Sequence, residues 1–396
     1  MKVFFELIKR EFKLFFNNKV LRLLFIGAPI LYGVLIGSVY QKGKITDLPI
    51  LVVDEDNSTM SSKLIDMLEE TEAIEVSAVL PSIFGSRDLA IEKEATVILH
   101  IPKGFTSGIQ QNKLPELTLY VDASNTLTSN TAMMAVNIAA STMKAGIQIE
   151  KQMKQGVPAH VAQQQFEPFK TTIIRQSIRS SNYLYFMMPG ILLTVFQQVL
   201  LLGLALTFAS EYENGTFREL VKAMPSSLGM VLVKSIPYLL MSIGIILLYW
   251  GFSQYYNMIL QGDLWAFLLS TLVFILSVCF LGIMFSIVLP DQLKATEVLM
   301  VVATPSFILS GYTWPLSQMP MWVQWVADVI PLTHYLKIFR LLLIEHASTH
   351  HIYPHLMSLA TIGLVCLILS VVFLKIKIIK TQKRDKKLAA SDGAKE

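Results

Sequence analysis

The sequence predicts a mainly α-helical membrane protein: six transmembrane helices in a 1 + 5 arrangement, with an α/β domain and a helical stalk inserted after the first. Three observations carry this. Of 396 residues, 53% are hydrophobic and only 16% charged, and the mean hydropathy is +0.53. The apolar residues gather in runs of about 20, as spanning helices require, instead of alternating with polar ones. Between the first and second runs lies a mixed stretch, 41–182, long enough to bury a core of its own. This composition excludes a soluble globular enzyme.

Residues 1–22 come first. Phe4, Phe5, Ile8, Phe12, Phe15 and Phe16 recur at helical spacing, and Lys9, Arg10 and Lys13 crowd another face. The pattern predicts an amphipathic helix along the inner leaflet with its basic side among head groups. A plain positive-inside anchor and a specific coupling role both fit it. Charges scattered through the segment, with no small-residue cleavage site after the first apolar run, argue against a cleavable leader.

The spans are predicted at 23–40, 183–209, 230–252, 264–289, 296–313 and 355–379. An even number places both termini on one side, and the basic residues say which. Six Lys/Arg fall in 1–22, three in 210–234, one at Lys294 and eight from Lys375 onward, whereas the short connections of the other side carry only Lys337 and Arg340. By the positive-inside rule the termini are cytoplasmic. Trp250, Trp265, Trp314, Trp322 and Trp325 all fall at the outer ends of the spans on this scheme, at the level that tryptophan favours.

Within 41–182, extracytoplasmic on this scheme, PILVVD (49–54), AIEVSAVL (73–80), ATVILHI (95–101) and ELTLYVD (116–122) read as strands. Asn57 or Ser58 caps a helix carrying Met60, Leu64 and Met67/Leu68. A small mixed or parallel sheet with covering helices follows. Met133, Val136, Ala140, Met143 and Ile147 then step by three and four, predicting a long helix with a narrow seam, broken near Gly156–Pro158 and resumed towards the second span. That seam fits a stalk packing on itself or a symmetry mate, and also a substrate or partner surface.

Two segments interrupt the membrane pattern. SEYENGTFREL (210–220) packs charges between two apolar runs; Gly215, a turn of helix and Pro225 as its stop predict a short helix held at the cytoplasmic face, where a partner can push on it. Residues 311–346 hold Pro315, Pro320 and Pro331 with Trp322 and Trp325, so a bent interfacial segment is expected in place of a straight span. At mid-membrane, Gln197 and Gln198 are costly unless bonded within the protein or facing water. They serve as interhelical glue or, with Thr304, line a path. Glu297 suits a snorkelling or capping role.

Other chemistry is thinly represented. The two cysteines, Cys279 and Cys366, lie inside apolar runs and offer neither a disulfide framework nor a metal pair. His346, His350, His351 and His355 have helical spacings in pairs, but Pro354 interrupts them, and no metal site is expected. A phosphate-cradling loop needs four residues between its glycines and a hydroxyl after the lysine; GSVYQKGKI has five and none. The tail after Lys375, including the cytoplasmic stretch 380–396, reads as inner-leaflet anchoring and not as a nucleic-acid site.

At this point the chain resembles the ABC-2-type permeases of bacterial ABC exporters. Three features carry the resemblance: E-Y-E-x-G-T-x-x-x-L followed by Pro225, Lys234 and Pro237; SGYTWPLSQMPMWVQWVADVIPLTHYLKIFRLLLIE over 310–345; and one span, a large outer domain, then five spans. The resemblance implies a half-transporter in the bacterial inner membrane, paired with a second copy or paralogue as a homo- or heterodimer. It also implies a separate ABC ATPase subunit that binds ATP and Mg, with no cofactor on this chain, and a possible periplasmic adaptor. Carried over by residue, Glu211, Tyr212, Glu213, Gly215, Thr216 and Leu220 match the ATPase-coupling segment (210–229). Phe4 to Phe16 match the entry helix. Gly311, Pro315, Pro320, Pro331 and Arg340 match a re-entrant outer segment that caps the path. The competing expectation is a membrane-anchored receptor or scaffold whose outer domain binds a ligand without transport.

Overall fold

The computed structural model describes residues 2–111, 113–166, 182–258 and 260–392. The chain divides into two compact units, Met1–Gly43 with Arg175–Glu396, and Lys44–Ile174.

The first unit is helical. It opens with α1 (Lys2–Asn17); Asn18 then accepts hydrogen bonds from the amides of Val20 and Leu21, capping α2 (Lys19–Val39). Pro29 offers no N–H for the carbonyl one turn back, and the residues just before it, Leu23–Gly27, widen into a π turn. Among the described residues six helices are long and apolar enough to cross a membrane. They are α2, α8 (Tyr183–Glu213), α10 (Ser227–Tyr255), α11 (Leu264–Val288), α12 (Gln292–Leu309) and the Thr349–Arg384 stretch that contains most of α15 (Tyr353–Asp392).

Helix α8 is the axis of this unit. It is buried along most of its length, and at 31 residues it extends about 46 Å. Small residues let neighbours approach closely: a Cβ on Gly282 of α11 would lie 2.7 Å from Cβ of Leu204, and one on Gly203 would meet the rings of Phe25 and Tyr238 at 2.7 and 2.8 Å. Side-chain hydroxyls close the contacts. Ser286 donates to the Ala205 carbonyl at 2.7 Å and accepts from the Phe208 and Ala209 amides, while Tyr238 donates to the Gly203 carbonyl at 2.8 Å. Ser277 of α11 donates to the Leu359 carbonyl of α15 at 2.7 Å.

After α12 the chain does not cross again directly. Gly311 turns it at φ +75°, and Pro315 and Pro320 lead into α13 (Met321–Val329), which exposes Met321, Trp322 and Trp325. Pro331 then starts α14 (Pro331–Phe339), whose Leu332, Tyr335, Leu336 and Ile338 are all sealed in the helical core before a π turn over Arg340–Ile344. The 311–346 segment is therefore broken into short helices, as its prolines require. His346 has φ +52° and Thr349–Ile352 is a 3₁₀ turn, so the helical histidine pairs suggested by spacing do not form.

The second unit is a four-stranded sheet with helices on both faces. Strands β1 (Leu48–Asp54), β2 (Ile74–Leu80), β3 (Val97–Ile101) and β4 (Thr118–Val121) lie in the order β2-β1-β3-β4, with β1 parallel to β2 and β3 and β4 antiparallel to β3. α3 (Thr59–Glu69) and α6 (Thr126–Lys154) cover the face of Leu48, Ile50 and Val52; α4 (Ser86–Glu92) covers that of Leu51 and Val53. Of the two caps foreseen for α3, Ser58 is the one used, in a reciprocal capping box with Ser61. α5 (Phe105–Gln110) follows β3, and α7 (Ala159–Phe166) follows α6.

The long helix departs from its expected role. Its buried seam is Ala132, Ala135, Val136, Ala139 and Met143, with Met133 exposed, and it lies on the sheet, where a stalk packing on itself or a symmetry mate was one expectation. The methyl side chains explain this, since alanine at three steps of the seam allows the helix to seat closely on the pleated surface. The break at Gly156 (φ +87°) falls where expected; the continuation towards the second span, 167–181, lies outside the described residues.

The α8–α11 contact yields a first prediction. Gly282→Leu overpacks it and should destabilise the unit by about 1–3 kcal/mol, whereas Gly251→Leu, at a position with open space around it, should leave the thermal midpoint of the detergent-solubilised protein almost unchanged. Equal midpoints for the two variants would contradict the packing described.

Candidate functional site: a buried ion network at the end of α8

The last turn of α8 carries Glu211, Tyr212 and Glu213. Asn214 ends the helix, Gly215 takes φ +70° to turn the chain, and Thr216 starts α9 (Phe217–Ala223). Met224 is extended before Pro225, which cannot continue a helix, and Ser226 caps α10 by accepting from the Gly229 amide at 3.2 Å.

Glu211 is 2% exposed. An isolated carboxylate there would be untenable, and four donors converge on it. Arg10 of α1 is bidentate, its two terminal nitrogens 2.8 and 2.9 Å from Oε1 and Oε2. Lys234 of α10 donates to Oε1 at 2.6 Å, and the Thr216 hydroxyl donates to Oε2. A second acid, Glu11, stands 2.9 Å from Lys234 Nζ and 3.0 Å from Arg10. Two carboxylates thus balance two cations. The hydrogen bonds and charge of Glu211 hold the Arg10 guanidinium above its ordinary value despite partial burial.

The neighbouring side chains extend the network. The Tyr212 ring packs edge-on to Phe217 and lies under Lys377 of α15, whose Nζ is 4.0 Å from the ring centroid. Lys377 also donates to the Ile287 carbonyl at the end of α11. Glu213 is exposed, and its carboxylate accepts from the Gln292 backbone amide at 2.8 Å and from the Gln292 side chain, gripping the start of α12. Leu220 is buried with Phe217 and Val221 in the helical core, while Glu219 and Lys222 stay exposed. Beside the network lies a cavity of 420 Å³ whose polar lining includes Asn18, Ser210, Asn214 and Gln292.

All six residues of the 210–220 motif therefore belong to one helix–turn–helix stretch, and among their side chains Glu211 and Thr216 are bonded to each other. The sequence reading missed their partners. It placed Arg10 among head groups and the phenylalanines towards lipid; in the structure the buried stripe of α1 is Leu7, Glu11 and Phe15, and Arg10 faces Glu211. The signal was an acid, Glu11, four residues from Leu7 and from Phe15 on the apolar stripe. Lys234, inside an apolar run, was the second.

The outer group is gathered by Arg340. Its guanidinium donates to the Tyr312 carbonyl at 2.9 Å and stacks 4.6 Å from the Tyr312 ring, next to Gly311; Tyr312 in turn donates to the Phe186 carbonyl of α8 at 2.6 Å. Pro331 begins the buried α14, whereas Pro315 and Pro320 are exposed. Of the mid-membrane residues, Gln197 is 1% exposed: its amide accepts from the Leu332 N–H at 3.0 Å and donates to Ser306 at 3.3 Å, joining α8, α12 and α14. Gln198 is half-buried and Thr304 is exposed. Among the described residues no group of three or more His, Cys, Asp or Glu stands ready to hold a metal ion.

A profile described as "ABC-2 family transporter protein" matches residues 19–372. The chain belongs to that family, and it is a multi-pass membrane protein. It is 23% identical over 365 residues to the probable multidrug ABC transporter permease YbhR of Escherichia coli, covering 90% of this chain and 95% of that one. The E. coli permease YbhS is 27% identical over 158 residues, 39% of this chain and 41% of its own length. ABC transporter G family member 20 of Dictyostelium discoideum is 24% identical over 177 residues, 43% of this chain and 24% of that protein.

The ion network predicts a coupling that single substitutions cannot show. Glu211→Gln leaves buried Lys234 and half-buried Arg10 with one acid and should cost about 3–5 kcal/mol. Adding Lys234→Met restores charge balance, so the double variant should recover about 0.5–3 kcal/mol relative to the sum of the single losses. Thermal or denaturant unfolding in detergent measures this; strict additivity would mean that the two side chains do not act as a pair.

Proposed function

We propose that this chain is the membrane-spanning permease half of an ATP-driven exporter, with ATP hydrolysed on a separate ABC ATPase subunit. The substrate class is amphipathic: lipid-like, drug-like or glycan, moved out of the cytoplasm or inner leaflet. The observation that carries the reading is the build of α9. Its apolar side, Phe217, Leu220 and Val221, is buried among the spans, its polar side is exposed, and its leading turn is locked to Glu211. A helix so mounted passes a push on its polar side directly to the end of α8. The basic-residue distribution puts that side in the cytoplasm, where an ATPase works, and the relatives named as multidrug permeases agree with the substrate class.

In this reading the Glu213–Gln292 contact carries the movement from α8 to α12. Glu297, Val301, Thr304 and Ile308 form an exposed face of α12, which suits a second permease copy, homodimeric or heterodimeric, with Gln198 and Thr304 nearest the path. The 311–346 segment caps the path on the outer side. The Lys44–Ile174 unit is then extracytoplasmic and suits substrate collection or an adaptor.

Purification of the tagged chain in mild detergent should bring down a stoichiometric subunit carrying Walker motifs. In the reconstituted complex, Gly215→Pro, which cannot adopt φ +70°, and Glu213→Arg, which breaks the grip on Gln292, should lower transport at least about tenfold, the equivalent of 1.4 kcal/mol. Both proteins should remain inserted and ATPase-bound. Normal transport by both would remove the coupling assignment.

A further inference from the structure

A separate cavity of 220 Å³ lies within the helical unit, between α8, α10, α11 and α14, and shares no lining residue with the one beside the ion network. Its wall is formed by Leu192 and Phe196 of α8, Ile246 of α10 and Phe339 of α14. An apolar cavity of about 150 Å³ takes up benzene, so this one has room for a stretch of hydrocarbon. The lining is mostly apolar; of its polar groups, Gln254 is exposed and the Ser253 hydroxyl is used on the Trp250 carbonyl. The Tyr249 hydroxyl is buried and has no hydrogen-bond partner among the described residues, although a buried phenol ordinarily finds one. A ligand that satisfies it must carry an acceptor beside an apolar body.

The position of the mouth says which ligand. Trp250, 64% exposed, borders the cavity, and Trp265, 80% exposed, stands near the start of α11. Tryptophans at helix ends mark the membrane–water interface, so the cavity opens just below head-group level and continues among the spans at the depth of the tails. Ester carbonyls of membrane lipids occupy that level, and their acyl chains hang from it.

We propose that this cavity binds one acyl chain of a membrane phospholipid, with the Tyr249 hydroxyl donating a hydrogen bond to an ester carbonyl of the same lipid. The occupant is bulk lipid held within a single chain, so the site is independent of the exporter reading and of any transport event.

The test reconstitutes the full chain in liposomes containing a phospholipid with a diazirine on its acyl chain, irradiates, and maps adducts by mass spectrometry. Peptides containing 188–196 and 246–249 should be enriched at least about fivefold over exposed Leu31 of α2. Ile246→Trp, which fills the cavity, should abolish that enrichment without changing the Leu31 adduct. Tyr249→Phe, which keeps the ring and removes one oxygen, should reduce it about threefold to tenfold, the range of a single hydrogen bond. Uniform labelling, or enrichment indifferent to both variants, would overturn the proposal. So would equal enrichment by a diazirine-bearing alkane that has no ester, which would show an unselective apolar void, or displacement of the lipid label by a multidrug substrate, which would make the occupant cargo.

Discussion

Glu211 and Lys234 are both all but sealed from solvent, and neither can be ionised there alone. Moving a charge into such surroundings costs several kcal/mol even after the protein relaxes. The ion pairs offset that cost only while α1, α8 and α10 keep one arrangement. If α1 withdrew Arg10, Glu11 would leave with it, and the pair behind would lose the bidentate partner that fixes the orientation of Glu211. The entry helix is thus tied by geometry as well as by its narrow stripe of Leu7 and Phe15, and the middle of α1, the end of α8 and the first turns of α10 are joined at one point.

The rest of the helical unit builds outward from that point along α8. Over the roughly two turns before Glu211, its backbone is held by Tyr238 on the Gly203 carbonyl and by Ser286 on the Ala205 carbonyl and the Phe208 and Ala209 amides. Gly203 and Gly282 bring α2, α10 and α11 in close there. The other end of α8 is built differently. Pro189 removes a ladder hydrogen bond, the apolar cavity opens beside Leu192 and Phe196, and the contacts are rings: Phe186 stacked on Tyr312, with Arg340 above. On the proposed coupling, a displacement applied at α9 would meet the more closely bonded end first, with the apolar cavity and the proline-broken segment at the other.

How much of this was legible depended on whether the signal was local. The spans, the strands and the two proline-marked segments follow from runs, periods and stops within a window of 10 to 20 residues, and the structure places them within a few residues of those positions. Pro225 and Gly215 were readable because each has one backbone reason to be where it is, whereas the cap of α3 was readable only as Asn57 or Ser58. Partnership was not local. Arg10 and Glu211 are 201 positions apart, and periodicity could place Arg10 only on a basic face, where lipid head groups are the default. The seam of α6 shows the same limit at smaller scale. Met133 and Ala135 both satisfy helical spacing, and choosing between them requires knowing that the surface to be covered is a sheet, which favours the smaller side chain. Gln197 is intermediate: its burial in mid-membrane demanded partners, but nothing in the sequence named Ser306 or the amide of Leu332.

The use of charges at the end of α8 invites comparison with an apolar packing of the same volume, which is often as stable or more so. Apolar contacts are tolerant of small rotations, whereas a bidentate Arg–carboxylate pair holds only within narrow angles. On the proposed coupling, a network of this kind would favour two arrangements over a continuum, provided the open one is not prohibitively costly. The 420 Å³ cavity supplies that condition. It borders Arg10, Glu11 and Glu211, and its lining of Asn18, Ser210, Asn214 and Gln292 offers the several polar partners that ordered water needs. Charges released by a tilt of α9 would meet water and amides and not hydrocarbon, and the barrier to switching falls accordingly. Closed, the network fixes the geometry; open, the cavity solvates it. That combination suits a joint that must transmit movement repeatedly better than one that must only hold.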